Sequence, residues 1–229
     1  MKSLLIGIDG PDGSGKTNIT RIITSYLRDD WAKGREVVSF KPTYFETTAE
    51  ALLVKEVLEA TSGLEAYSRE HNEFYLEAMR LNYLNAVIPS LENGKIVILD
   101  SSEIRALAFN LAKGNQGAIN HTKESIKDGT LNSGIIPDVR IFIDGSPETL
   151  LKNLKTKKSL DHGDPINLEE VSKRRLAYFE AIAYVNSFGG IKRTIYCNLE
   201  VNHHEDPENY LHKLVSQKIK PVIQSMLSC

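Results

Sequence analysis

The sequence predicts an α/β fold, a parallel sheet covered by helices, and three observations carry that prediction. Short β-rich runs alternate with longer helical patterns along the 229 residues, as parallel strands joined by crossover helices require. Five of the runs read as buried strands, and four of them end in a polar residue where open α/β sheets bind ligands, beyond the carboxyl ends of the strands. A glycine-rich segment also joins the first strand to the first helix.

The strands are Leu4 to Asp9, Glu36 to Phe40, Ile96 to Asp100, Val139 to Asp144 and Thr194 to Asn198. Helical patterns fill residues 16 to 28, 47 to 60, 66 to 92, 102 to 113, 147 to 156, 168 to 186 and 207 to 227. In the last of these Leu211, Val215, Ile219, Val222 and Met226 form one stripe, and Pro221 is expected to kink it. Pro89 poses the same problem inside the third. Residues 114 to 134 are weakly patterned and read as a short helix with loops.

At about 150 residues per domain, a chain of 229 residues reads as one domain over 1–229, able to bury its core without a metal or disulfide. Hydrophobic residues are 41 %, charged residues 25 %, and Lys+Arg 28 against Asp+Glu 30 leave a net charge of −2. These values exclude a disordered chain and a nucleic-acid binder that relies on a strongly basic surface. Cys197 sits in an apolar run and reads as a reduced, buried thiol; with Cys229 it is too little for a disulfide scaffold. The five mostly apolar residues before Asp9 are too few for a secretory signal, and no apolar run approaches the ~20 residues of a membrane span. The expectation is a soluble cytoplasmic protein with neither a membrane nor a nucleic acid as partner.

Gly10-Pro11-Asp12-Gly13-Ser14-Gly15-Lys16-Thr17 matches G-x-x-x-x-G-K-[ST] between strand one and a helix. Glycines let the backbone curl so that successive N–H groups face phosphate oxygens, and the helix adds its positive end. Lys16 is expected to reach the β and γ phosphates of a nucleoside triphosphate, and the Thr17 hydroxyl to hold Mg²⁺. A nucleoside triphosphate site follows from these residues, and the acceptor remains open.

With its flanks Ile8 and Asp9, the loop resembles that of the thymidylate kinase family, which carries an acidic residue before the first glycine and another inside the loop. The resemblance implies a P-loop NTPase three-layer sandwich with strands in the order 2-3-1-4-5, and transfer of the γ-phosphoryl of ATP, with Mg²⁺, to a nucleoside monophosphate, dTMP first. Asp12 then faces the acceptor's sugar; the alternative is an Asp that caps the loop. Lys41-Pro42 partly matches a motif after strand two, making Lys41 a phosphate contact. Ala78-Met79-Arg80, followed by Val87 to Asp100, places Arg80 on the acceptor phosphate, where a guanidinium fork suits an oxyanion. The family's stacking phenylalanine falls at Leu76, with Phe74 and Tyr75 upstream, so the stacking partner stays open among these three; Phe74 also reads as core.

Asp100 fits a carboxylate that holds Mg²⁺ through water. Ser101 stands where the family has arginine, and Arg105, one turn further on, is a candidate to restore that charge. Asn110 takes the place of an amide that reads the pyrimidine edge. Pro137-Asp138 and Asp144 to Glu148 are among the closer matches. A lid follows at about 152–166, with Asn153 at a position often held by arginine. Neither loop nor lid offers an arginine, so the transition-state cation falls to Lys155, Lys157 or Lys158, unless that run is only a solvated helix end. Arg175 with Tyr178-Phe179 matches the following helix. His162, His203 and His204 lack metal-ligand spacing and read as loop residues. A homodimer through the second and third helices is implied by the resemblance alone. Two rival readings stay open: the same fold acting on another acceptor, and a nucleotide-binding protein without transferase activity.

Overall fold

The computed structural model describes residues 3–32, 34–44, 47–60, 68–156, 165–187, 194–199 and 206–228. Five strands, β1 (Leu4–Asp9), β2 (Val37–Phe40), β3 (Ile96–Asp100), β4 (Val139–Asp144) and β5 (Thr194–Asn198), form one sheet in the order β2-β3-β1-β4-β5. Every neighbouring pair is parallel; Ile6 of β1 stands opposite Ile98 of β3 and Val139 of β4. Expected and observed strands agree to within one residue, the second starting at Val37 rather than Glu36.

The runs are continuously apolar because both faces of the sheet are covered. Ile6, Ile8, Ile98, Ile141 and Ile143 pack on one face against Ile19, Ile22 and Ile23 of α1 (Lys16–Tyr26), joined by Leu214 of α9 (Pro207–Leu214) and Ile223 of α10 (Lys220–Leu227). The alternate residues Leu5, Val97, Leu99 and Phe142 face the other way. They meet Leu76 and Met79 of α3 (Arg69–Asn82), Ile104 and Leu107 of α5 (Glu103–Lys113), and Tyr178 and Ile182 of α8 (Leu168–Asn186). Each such buried side chain is worth about 1.5 to 3 kcal/mol, so the central strands β1 and β3 form a firm base for the loops that follow them. Cys197 is buried as expected, and burial pushes its thiol up to about 11, which makes it inert.

Both prolines that threatened a helix are accommodated by one device. A π turn over Tyr83–Val87 ends with the Ile88 N–H donating to the Tyr83 carbonyl, just before Pro89 enters α4 (Ile88–Glu92). A π turn over Val215–Ile219 ends in the same way, Lys220 N–H to the Val215 carbonyl, just before Pro221. Proline lacks the N–H and crowds the preceding turn, and the wider turn relieves both defects. The π turn also shifts the phase of the C-terminal stripe: Leu214, Val215, Ile219 and Ile223 are buried, whereas Leu211, Val222 and Met226 are only partly so. Between residues 114 and 134 the helix is longer than the pattern suggests, α6 (Gln116–Lys127), capped by the Asn115 side chain. The remaining helices are α2 (Ala49–Ala60) and α7 (Pro147–Lys155).

Candidate active site

β1 and β3 lie side by side and send their chains across opposite faces of the sheet, α1 on one and α5 on the other. The crevice between their carboxyl ends is the switch point where such sheets bind ligands. The glycine-rich loop stands there. A Cβ on Gly10 would collide with the Ile143 carbonyl oxygen, and one on Gly13, at φ +82°, with that of Leu150. Those two positions therefore need glycine. Ser14 N–H donates to the Pro11 carbonyl at 3.2 Å, while the buried Ser14 hydroxyl has no partner. Gly15 provides the N-cap of α1 without a side chain, leaving the first N–H groups of the helix facing the cradle. Lys16 Nζ folds back to donate to the carbonyls of Gly10 (2.7 Å) and Pro11 (2.9 Å). Burial, partly offset by Asp12, lowers the Lys16 ammonium to about 8. The orphaned hydroxyl, the glycine cradle and the buried ammonium fit a polyphosphate.

Thr17 Oγ1 donates to Asp100 Oδ2 at 3.0 Å, and Lys41 Nζ stands 3.4 Å from the same oxygen. Two hard oxygen donors side by side at the edge of the cradle fit Mg²⁺, which commonly takes one or two protein oxygens and completes its shell with water and phosphate.

On the acceptor side the structure redistributes the expected residues. Asp12 is buried and accepts from Arg174 Nη1 at 2.8 Å. Desolvation raises its pKa, but Lys16, Arg105 and Arg174 outweigh that and hold it at about 2. Arg174 was not foreseen; only its neighbour Arg175 matched a motif. Arg175 instead forks onto Asp144 at 2.8 and 2.6 Å, tying α8 to β4. Arg105 reaches the cleft, where Nη1 donates to the Tyr44 hydroxyl at 3.2 Å. Ser101, at φ +77°, is buried, and its N–H donates to the Ile8 carbonyl.

Three expectations change. Arg80 does not present an open fork: Nε and Nη2 close on Glu77 at 2.7 and 2.6 Å, three residues back on the same helix. Leu76 is packed into the apolar core and cannot stack on a ligand, while Phe74, read as core, is half-buried outside it; Tyr75 lies at the edge. The phase of α3 decides this, since Leu76 follows Met79 and Tyr83 inward. Asn110 spends both amide hydrogens inside the protein, on Asn72 Oδ1 (2.7 Å) and Thr122 Oγ1 (2.9 Å).

A buried ionic knot underlies the site. Arg140, near the start of β4 and wholly buried, donates to Asp9 and Ser102 and, at 2.7 Å, to Glu103 Oε1. Asp9 also accepts from Ser102 N–H (2.9 Å) and hydroxyl (2.8 Å), and Tyr83 donates to Glu103 at 3.3 Å. The residue before Gly10 is thus clamped to residues just after Asp100, fixing the loop against its carboxylate.

On the lid side, Asn153 Nδ2 donates to the Gly13 carbonyl at 2.9 Å, tying α7 to the loop. Lys155 is exposed at the end of α7. Lys157, Lys158, His162, His203 and His204 lie outside the described residues.

A doubly covered parallel sheet, a glycine cradle with a buried lysine, and a Thr–Asp oxygen pair beside it define a P-loop nucleotide-binding protein of the NTPase fold. A family model for thymidylate kinase matches residues 8–192, and the chain belongs to that family. It is 26 % identical over 220 residues to the thymidylate kinase of Pseudoalteromonas translucida (strain TAC 125), covering 95 % of this chain and 100 % of the relative. It is 25 % identical over 183 residues to that of Clostridium novyi (strain NT), covering 79 % and 85 %. The crystal structure of thymidylate kinase from Ehrlichia chaffeensis superposes with a TM-score of 0.64 at 21 % identity, covering 99 % of this chain and 100 % of that one.

Proposed function

We infer that the protein transfers the γ-phosphoryl group of ATP to thymidine monophosphate, giving ADP and thymidine diphosphate. The observation that carries this reading is the family match over residues 8–192, which contains the intact cradle with Lys16 and the Thr17–Asp100 pair. An acceptor phosphate oxygen attacks the γ phosphorus and the bond to the ADP oxygen breaks, so the protein's work is positioning and charge stabilisation. Gly10 to Gly15 offer backbone N–H groups to the donor phosphates. Lys16 exchanges its two carbonyl partners for phosphate oxygens. Mg²⁺, when bound, would neutralise charge on the β and γ oxygens, with Thr17 and Asp100 as its protein ligands. Asp12 faces the acceptor's sugar, and the lid near 152–166 supplies a lysine, Lys155, Lys157 or Lys158, to the transferring group.

No helix among the described residues is long and apolar enough to cross a membrane. We assign the protein to the cytoplasm, where the buried free thiol of Cys197 would stay reduced, and read the chain as a single catalytic domain. A homodimer is supported by α2, where Leu52, Leu53 and Val57 are 39, 59 and 51 % exposed; a second copy would bury this apolar ridge.

ADP release from ATP and Mg²⁺ across a panel of nucleoside monophosphates and free nucleosides tests the reading. Fastest turnover with dTMP is expected. Faster turnover with another acceptor, or none with any, would overturn it.

A further inference from the structure

Cations and aromatic rings alternate across the acceptor side of the cleft. Lys41 Nζ lies 5.3 Å from the centre of the Tyr44 ring, and the Arg105 guanidinium lies 5.1 Å from the same ring. Arg105 is also 4.9 Å from the Phe109 ring, whose neighbour on the ladder is the Arg174 guanidinium at 4.1 Å. Carboxylates close the two ends, Asp100 on Lys41 at 3.4 Å and Asp12 on Arg174 at 2.8 Å. The ladder joins residues after β2, on α5 and on α8, and so spans the cleft from the metal-binding pair to the inner carboxylate of the loop.

Its charges do not balance. Three cations meet two carboxylates, and the surplus sits on the middle rung: among the described residues Arg105 forms no ion pair, and its hydrogen bond is to the neutral Tyr44 hydroxyl at 3.2 Å. A guanidinium has five donors, and holding one half-buried with a phenol as partner is costly unless an anion joins it. The two rings fix the plane of the fork, which removes much of the entropy lost on capturing a flat or tetrahedral oxyanion. Arg80, the other candidate, has its charge matched by Glu77 on its own helix, and Ser101 has no charge to offer.

We propose that Arg105 is the receptor for the acceptor's phosphate, seated between Tyr44 and Phe109 and flanked by Lys41 and Arg174. This inference rests on the reading of the protein as a monophosphate kinase, and it assigns the specificity for a phosphorylated over a free nucleoside to a residue on α5. The end carboxylates pair directly with Lys41 and Arg174, whereas Arg105 feels Asp12 only through space, so the acceptor anion is drawn to the centre of the ladder rather than to its ends.

Calorimetric titration of the full chain with dTMP and with thymidine tests the proposal. Wild-type protein is expected to bind dTMP about 10- to 100-fold more tightly than thymidine, the range for charge-assisted hydrogen bonds. Arg105→Met should bring the two affinities to within about threefold, and Arg105→Gln, which keeps a donor for Tyr44 without the charge, should do the same. Arg105→Lys should recover part of the preference, and Arg80→Met should keep all of it. The proposal fails if both neutral Arg105 variants retain the wild-type ratio, if Arg80→Met collapses it, or if wild-type protein makes no distinction. Label transfer from ATP, measured in parallel, separates the two ideas. A wild type that prefers dTMP but makes no dTDP sinks the kinase reading and keeps the seat. A wild type that makes dTDP with an acceptor KM unchanged in Arg105→Met and Arg105→Gln sinks the seat and keeps the kinase.

Discussion

The Thr17 hydroxyl donates to the Asp100 carboxylate at 3.0 Å, although 83 residues separate them in the chain. Thr17 stands at the start of the helix that follows β1 and Asp100 at the end of β3, and the parallel pairing of those two neighbouring strands brings them together. If this pair holds Mg²⁺, Asp100→Asn and Thr17→Val should each raise the half-saturating Mg²⁺ concentration roughly tenfold or more. Mg²⁺ titrations of turnover at saturating nucleotide check this. An unchanged Mg²⁺ requirement in both variants would remove the pair from the metal site.

Lys16 gives the reaction a pH signature. Its ammonium is lowered to about 8 by burial, so the free enzyme carries the charge below that pH and loses it above. Only the charged form grips phosphate, so kcat/KM for ATP should fall about tenfold per pH unit above pH 8. Once phosphates are bound they favour the charged form, so kcat should break at a higher pH. A kcat/KM profile that stays flat to about pH 9.5 would contradict the assignment.

Asp12 links the cleft to acid stability. Its folded-state pKa of about 2 lies below the ordinary 3.8. A depressed carboxylate stabilises the fold above the unfolded-state value and loses that contribution as pH falls through the folded one. About 2 kcal/mol should therefore disappear between pH 4 and 2. Urea unfolding at stepped pH should show this loss in wild type and a shallower slope in Asp12→Asn.

The buried knot predicts a severe and reparable defect. Arg140→Met leaves Asp9 and Glu103 without their cation in the core, which costs about 3 to 5 kcal/mol. The triple variant with Asp9→Asn and Glu103→Gln should recover much of that in thermal unfolding, because no charge is then left without a partner. A triple variant as unstable as Arg140→Met would show that shape, not charge, sets the role of Arg140.

The strands and the phosphate cradle were legible in the sequence because both are contiguous. A continuous apolar run ending in a polar residue announces a buried parallel strand, and Gly10 to Thr17 carry their chemistry within eight positions. What stayed hidden depends on chain segments far apart. Arg140 lies inside a run read simply as strand, and its partner Asp9 is 131 residues away. Pro89 and Pro221 announced a disturbance but not the π turns that absorb it. On α3 the resemblance pointed to Leu76 and Arg80, yet the helix phase sends Leu76 into the core and Glu77 captures Arg80. Tyr44 and Arg174, two rungs of the ladder, carry no local signal; only the packing of α5 against α8 and the loop after β2 puts them side by side.

The most direct test of the account is transfer of label from γ-labelled ATP to dTMP in the presence of Mg²⁺, comparing wild type with Lys16→Ala. Wild type should give labelled dTDP, and Lys16→Ala a rate about 10²- to 10³-fold lower, the usual loss of one charge-stabilising donor. Absence of labelled dTDP from the wild type, or equal rates in both proteins, would contradict it.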